Sequence, residues 1–243
     1  MGKKPAVFST RGYLLLLAVL IVTPLYLAAR LDIFDPLNEK ASHESEVRKQ
    51  PSIKGESDLR LLSHRLISYD ELQGFVTEEM ASLARGNTLH FLKTVDMQCD
   101  KRTVGNFITC ANNILGKQFY YKSSDVVAEA WGNRYSDCDL NSYLLMDAMY
   151  LSGFKAEIVY APGHAFISFK DASGNLHFQE TTANNNTGEN ADLTSPFYIK
   201  TLPGFYYQPH DSAYAEKMYP VLTAVKLPAS VGQKIASEMY DVW

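Results

Sequence analysis

Cysteine is scarce in this chain of 243 residues: there are three, Cys99, Cys110 and Cys138. That is too few for a scaffold built on disulfides, and the odd count leaves at least one thiol unpaired within the chain. Histidine is thin as well. His43, His64, His90, His164, His177 and His210 show no ligand-like spacing with the cysteines, which argues against a metal site. No Gly-rich phosphate loop occurs, so no cofactor is expected. Acidic residues are missing from the first 30 positions, which hold Lys3, Lys4, Arg11 and Arg30. The remainder carries 19 of the 23 basic residues and all 27 acidic ones. A body that acidic is excluded as a general binder of nucleic acid, whose phosphates need neutralising cations. Internal repeats and low-complexity tracts are absent too. What is present suits a packed core: 46% of residues are hydrophobic and 21% charged, in a length that fits one large domain or two small ones.

Gly12 to Ala29 runs without a charge and is rich in leucine, isoleucine and valine. A bilayer core needs about 17–25 such residues, so the run reaches the short end of that range. Leu27-Ala28-Ala29 before Arg30 is a poor match to a cleavage site, and a lipoprotein signal needs a cysteine directly after the run, whereas the first is Cys99. The leading basic residues disfavour a buried core helix, and Pro24 is compatible with a membrane helix. The expectation is an uncleaved single-pass anchor in residues 1–30, inserted in the inner (cell) membrane. By the positive-inside rule its tip stays cytoplasmic and the body is periplasmic or extracellular. Residues 31–58 are mostly polar and read as a spacer; residues 59–243 form the functional domain.

Within that domain helical signals come first. Ser68 and Glu71 resemble a capping box, and Leu72, Phe75, Val76, Met80, Leu83 and Ala84 predict one helix that stops at Gly86. A second helix is predicted over Thr103–Leu115, a short third over Asp125–Trp131, and a fourth from Cys138 to the stop at Gly153. The period then changes. Phe154–Tyr160 is β-like, Pro162-Gly163 is a turn, His164–Lys170 is a strand, residues 171–175 are a hairpin turn, and Leu176–Thr181 returns. Helices followed by a meander predict an α+β fold with helices packed on an antiparallel sheet. From Thr182 the tail reads as loop-rich, with aromatics at Phe197, Tyr198, Phe205, Tyr206 and Tyr207 and a last helix over Ser230–Val242.

Three of these residues form a chemical pattern. Cys138 stands at a predicted helix start, where unpaired amides and the positive dipole end favour thiolate over thiol. Its neighbours Asp137 and Asp139 suit a polar rim better than a core, and are expected to point away from the sulfur, toward the helix amides. His164 opens a strand 26 residues later, and Glu180 ends the next one. A tight hairpin brings such positions side by side, giving nucleophile, base and orienting carboxylate in the order Cys138, His164, Glu180. Taken singly, each residue has an ordinary alternative: a small core cysteine, a strand histidine, a surface glutamate. Cys99 and Cys110 can form a bridge in an oxidising compartment or remain two buried thiols.

The stretches Ser136-Asp137-Cys138, Leu144–Gly153, His164-Ala165-Phe166 and Glu180-Thr181-Thr182 together resemble the transglutaminase-like superfamily, the papain-related cysteine enzymes. The likeness covers about residues 100–185. Its pattern there is Gly-Asp-Cys at a helix start, His-Ala-Trp opening a strand and Asp-Pro-Thr ending the next. Ser136, Phe166 and Glu180 depart from it, and glutamate is one methylene longer than aspartate. Asp192 is an alternative acid on a loop. The resemblance implies a thiol nucleophile at Cys138, a general base at His164 and an orienting acid at Glu180. The Cys138 backbone N–H and a side chain from the Thr103–Leu115 helix are the expected oxyanion donors. The expected activity is that of a membrane-anchored, outward-facing cysteine peptidase or amidase acting on an envelope protein or peptide, with peptidoglycan stem peptides among the candidates by location. The alternatives are an acyl-transferring crosslinker and a non-catalytic module that holds a partner through Phe197–Tyr207.

Overall fold

The computed structural model describes residues 60–182, 188–191, 193 and 206–226, all within one compact unit, Lys49–Trp243. The expected anchor, the spacer up to Asp58, the Ser230–Val242 helix, Asp192, Phe197, Tyr198 and Phe205 lie outside the described residues. No helix among the described residues is long and apolar enough to cross a membrane.

The fold is α+β, with helices packed on an antiparallel sheet. Helices α1 (Leu62–Leu72), α2 (Glu78–Gln98) and α3 (Val104–Gln118) come first. A two-residue strand β1 (Tyr120–Tyr121), helix α4 (Val127–Gly132) and strand β2 (Tyr135–Ser136) lead into α5 (Cys138–Leu151). Strands β3 (Ala156–Ala161), β4 (His164–Lys170), β5 (Leu176–Glu180), β6 (Glu189–Asn190) and β7 (Pro209–His210) form one sheet in the order β6-β5-β4-β3-β7. Helix α6 (Ser212–Lys226) follows.

Helix α5 is the centre of the core. Every residue from Asp139 to Met149 is buried, so it is covered on all sides rather than amphipathic. Helices α1, α2, α3 and α6 and strands β3 and β4 pack around it. Ile158, Tyr160, Ala165, Ile167 and Phe169 join its core from the sheet. The opposite face of the sheet carries Val159 and Phe166, covered by Phe178, Ala191, Leu193 and Tyr207.

Two expectations for the elements are corrected. The single helix through Ser68 to Gly86 is two helices separated by residues 73–77. Gly74 adopts φ +71°, and the Thr77 side chain caps α2 by accepting from the Met80 amide. Leu72, expected on a buried face, is 85% exposed. Ser68 and Glu71 cap nothing: both lie inside α1 and receive the Arg85 guanidinium. The tail is also less loop-rich than its composition implied. It supplies β6, β7 and α6, a helix that keeps Pro220 in its interior and buries Ala215 and Tyr219. Gly86, expected as the stop, lies inside α2, which continues to Gln98. The other boundaries fall close to the sequence signals, with Thr103 accepting from Asn106 as the cap of α3, and His164 and Lys170 bounding β4.

Cys99 and Cys110 are joined in a disulfide, and Cys138 is the free cysteine. The bridge ties the residue following α2 to the second turn of α3.

Candidate active site

Side chains alternate along a strand, so His164, Phe166 and Ser168 share one face of β4. Ser168 stands opposite Phe178 in the β4–β5 register, which puts Phe178 and Glu180 on that same face. The hairpin thus sets His164 within reach of Glu180: His164 Nε2 lies 2.7 Å from Glu180 Oε2. Glutamate's extra methylene is accommodated without loss of this contact. Glu180 is buried and His164 is partly exposed, as a carboxylate beneath an imidazole at a site mouth would be. With Nε2 taken, Nδ1 is the ring nitrogen left for other chemistry.

Cys138 is the first residue of α5 and is partly buried. The backbone amides of Asp139 and Ala165 lie close enough to its sulfur to favour the thiolate. The Ala165 amide follows directly after His164, so the sulfur sits against the opening of β4. Ser142 Oγ and Thr181 Oγ1 both donate to the Cys138 carbonyl, at 2.7 and 3.2 Å, and hold the first turn of α5 in place. Asn141 adds a bond from Nδ2 to the Thr181 carbonyl at 2.9 Å. Sequence reasoning assigned no role to Ser142, Thr181 or Asn141, although Thr181 lies in the Glu180-Thr181-Thr182 stretch. Their spacing from Cys138 along one helix turn and across the β5 end was the available signal.

The electrostatics differ from the expectation of a lowered thiol pKa. Burial is the largest influence and pushes the Cys138 thiol up from 9.0 to about 12, and the charges of Asp139 and Asp137 push the same way. The two amides oppose this and are outweighed. The expectation that Asp139 points away from the sulfur is corrected as well. Asp139 Oδ1 lies 4.0 Å from Cys138 Sγ, and both acids are buried close enough to act on it. Asp137 also accepts the Ser124 amide at 3.0 Å, which fastens the 122–124 segment to the site rim. Exposed Tyr121, on β1 beside β2, feels the charges of Cys138, Asp137 and Asp139, and its phenol is raised, burial being the larger cause.

The second oxyanion donor, expected from the α3 helix, is not found among its buried polar side chains. Asn112 is the buried one, and its Nδ2 donates to the Glu180 carbonyl at 3.2 Å. Among the described residues no group of three or more His, Cys, Asp or Glu side chains could hold a metal ion. Chemically, the arrangement offers a partly buried thiol, an imidazole anchored by a carboxylate, and amides gathered at a helix start. Comparison with family models, with curated proteins and with solved structures finds no match to this chain.

Proposed function

We propose that this protein is a cysteine hydrolase of transglutaminase-like type, a peptidase or amidase with Cys138 as nucleophile, His164 as general base and Glu180 as the orienting carboxylate. The observation that carries the reading is the contact between His164 Nε2 and Glu180 Oε2 on the strand whose next amide, that of Ala165, acts on the Cys138 sulfur. The raised thiol sets the order of events. Cys138 rests as the thiol and gives its proton to His164 as the sulfur attacks an amide carbonyl carbon. The C–N bond then breaks, the leaving nitrogen takes that proton from imidazolium, and an acyl thioester remains. Water, deprotonated by the same imidazole, releases the acid and restores the thiol. Glu180 stabilises the imidazolium at each stage. The Cys138 N–H, at the start of α5, stands where an oxyanion forms. With the expected N-terminal anchor, the domain faces outward and its substrates are envelope proteins or peptides, including peptidoglycan peptides.

A second reading, a binding module without catalysis, draws on one observation: burial and two carboxylates hold the thiol protonated. Alkylation of Cys138 by iodoacetamide separates the two. In the enzyme, the rate at pH 7 depends on the imidazole, and His164→Ala lowers it about tenfold or more. A wild-type rate equal to that of His164→Ala, climbing only with hydroxide, refutes the enzyme and leaves the module.

A further inference from the structure

Glutamate reaches His164 through one more rotatable bond than aspartate would use. The position of its backbone therefore decides where the carboxylate arrives, and that backbone is gripped from two sides. Asn112, fully buried in α3, donates Nδ2 to the Glu180 carbonyl across 68 residues of sequence. Gly188 approaches the same carbonyl from the segment that enters β6. A methyl group added at Gly188 would lie 2.2 Å from the Glu180 carbonyl oxygen and 2.3 Å from Asn112 Nδ2. Its φ of +76° is a second reason that only glycine fits. One residue on, Thr181 is tied to α5 through Asn141 and the Cys138 carbonyl. The acid and the nucleophile are thus referenced to the same short piece of chain.

We propose that Asn112 and Gly188 form a clamp on the Glu180 carbonyl whose function is to aim the Glu180 carboxylate at His164. The proposal rests on the reading of Cys138, His164 and Glu180 as a triad. Asn112 and Gly188 are positioning residues: neither touches the reacting atoms, and both act through Glu180. A buried carbonyl would need a donor in any fold. The additional claim is that the bond and the close approach are there to fix an angle, so their loss must be felt at the imidazole.

The test uses the full chain and two readouts. One is the iodoacetamide alkylation rate of Cys138 at pH 7. The other is the downfield proton resonance of the His164 ring N–H bonded to Glu180. Glu180→Gln should remove the resonance and slow alkylation about tenfold. Asn112→Ala and Gly188→Ala should each broaden or shift the resonance and slow alkylation several-fold. Combined with Glu180→Gln, neither should slow it further, because a clamp has nothing to aim once the carboxylate is gone. Should either alanine variant fail to fold, as denaturant unfolding would show, the other carries the test. Wild-type resonance and rate in Gly188→Ala, with Glu180→Gln still impaired, would overturn the clamp while sparing the triad. So would a double variant slowed by the full product of the single effects. Wild-type alkylation in both His164→Ala and Glu180→Gln would overturn the triad and the clamp with it.

Discussion

Two kinds of buried polar cluster share this domain, and their partners differ. Asp147, in the middle of α5, accepts the Leu62 and Ser63 amides at 2.8 Å each and so caps the start of α1 from 85 residues away. Asp70, in α1, accepts the Ala128 amide at 2.8 Å and the Tyr219 hydroxyl at 2.7 Å, while that hydroxyl accepts the Val127 amide. In both clusters a carboxylate satisfies backbone donors at a helix start, the place where a fold most needs acceptors. At the other end of α5 the pattern reverses. The backbone amides there act on a sulfur, and the carboxylate of Glu180 meets an imidazole. Amide-facing acids hold elements together. An imidazole held by a carboxylate can take and return a proton, and this contrast supports reading the second cluster as chemical.

If that contrast is sound, the largest stability loss comes from the structural cluster. Asp147→Ala strips two buried amides of their acceptor, at about 1–3 kcal/mol for each donor left unsatisfied. Denaturant unfolding should show the midpoint falling accordingly, whereas Cys138→Ala should hold its midpoint and lose alkylation entirely. Equal destabilisation by both substitutions would break the comparison.

The disulfide comes next. Opening the Cys99–Cys110 loop should cost about 3 kcal/mol, as expected for a closed loop of this length. Mass mapping without reductant should find those two peptides paired and Cys138 free. A major species with Cys138 in a disulfide would contradict both the pairing and its role.

A smaller effect, of pH on stability, sharpens the amide-facing class. Burial raises Asp70 from 3.8 to about 7 and Asp147 to about 6, despite the hydrogen bonds that lower them. The folded state therefore holds those protons more tightly than the unfolded chain. The contribution is full below about pH 4 and is lost as pH rises toward 7. The melting temperature of wild type minus that of Asp70→Asn should fall steadily from pH 4 to pH 7.5. A difference that is flat or rising over that interval would mean Asp70 is ionised in the fold.

Much of the candidate site is legible in the sequence, because each residue sits at an element boundary with local signals. A helix start marks Cys138, a Pro-Gly turn precedes His164, and the short hairpin at 171–175 fixes how Glu180 returns. The amide-facing acids were illegible for the opposite reason. Asp147 lies in an apolar helix and its partners are remote, so no window of sequence contains the interaction. The α1–α2 break was missed because apolar residues keep helical spacing across Gly74, while the competing cap, Thr77 followed by Glu78 and Glu79, is only three residues long. Helix α6 was hidden by Pro220, which usually argues against a helix interior. The thiol's direction of shift depended on burial, a quantity that local pattern does not give.

Asp139 belongs to neither class cleanly, and its removal is the finest test. As an acid in the first turn of α5 it favours the helix, worth about 0.3–1 kcal/mol. At 4.0 Å from the sulfur it also opposes thiolate. Asp139→Asn keeps the shape and removes the charge. The Cys138 pKa should then fall from its raised value, since one of the two carboxylates pushing it up is gone. Alkylation near neutral pH should quicken several-fold while the melting temperature drops slightly. Both changes have one cause, the loss of a negative charge at a helix start that also holds a nucleophile. A faster thiol without any loss of stability would place Asp139 with the chemistry alone. A less stable protein whose alkylation profile is unchanged would return it to the amide-facing acids, and leave burial and Asp137 as the reasons that Cys138 keeps its proton.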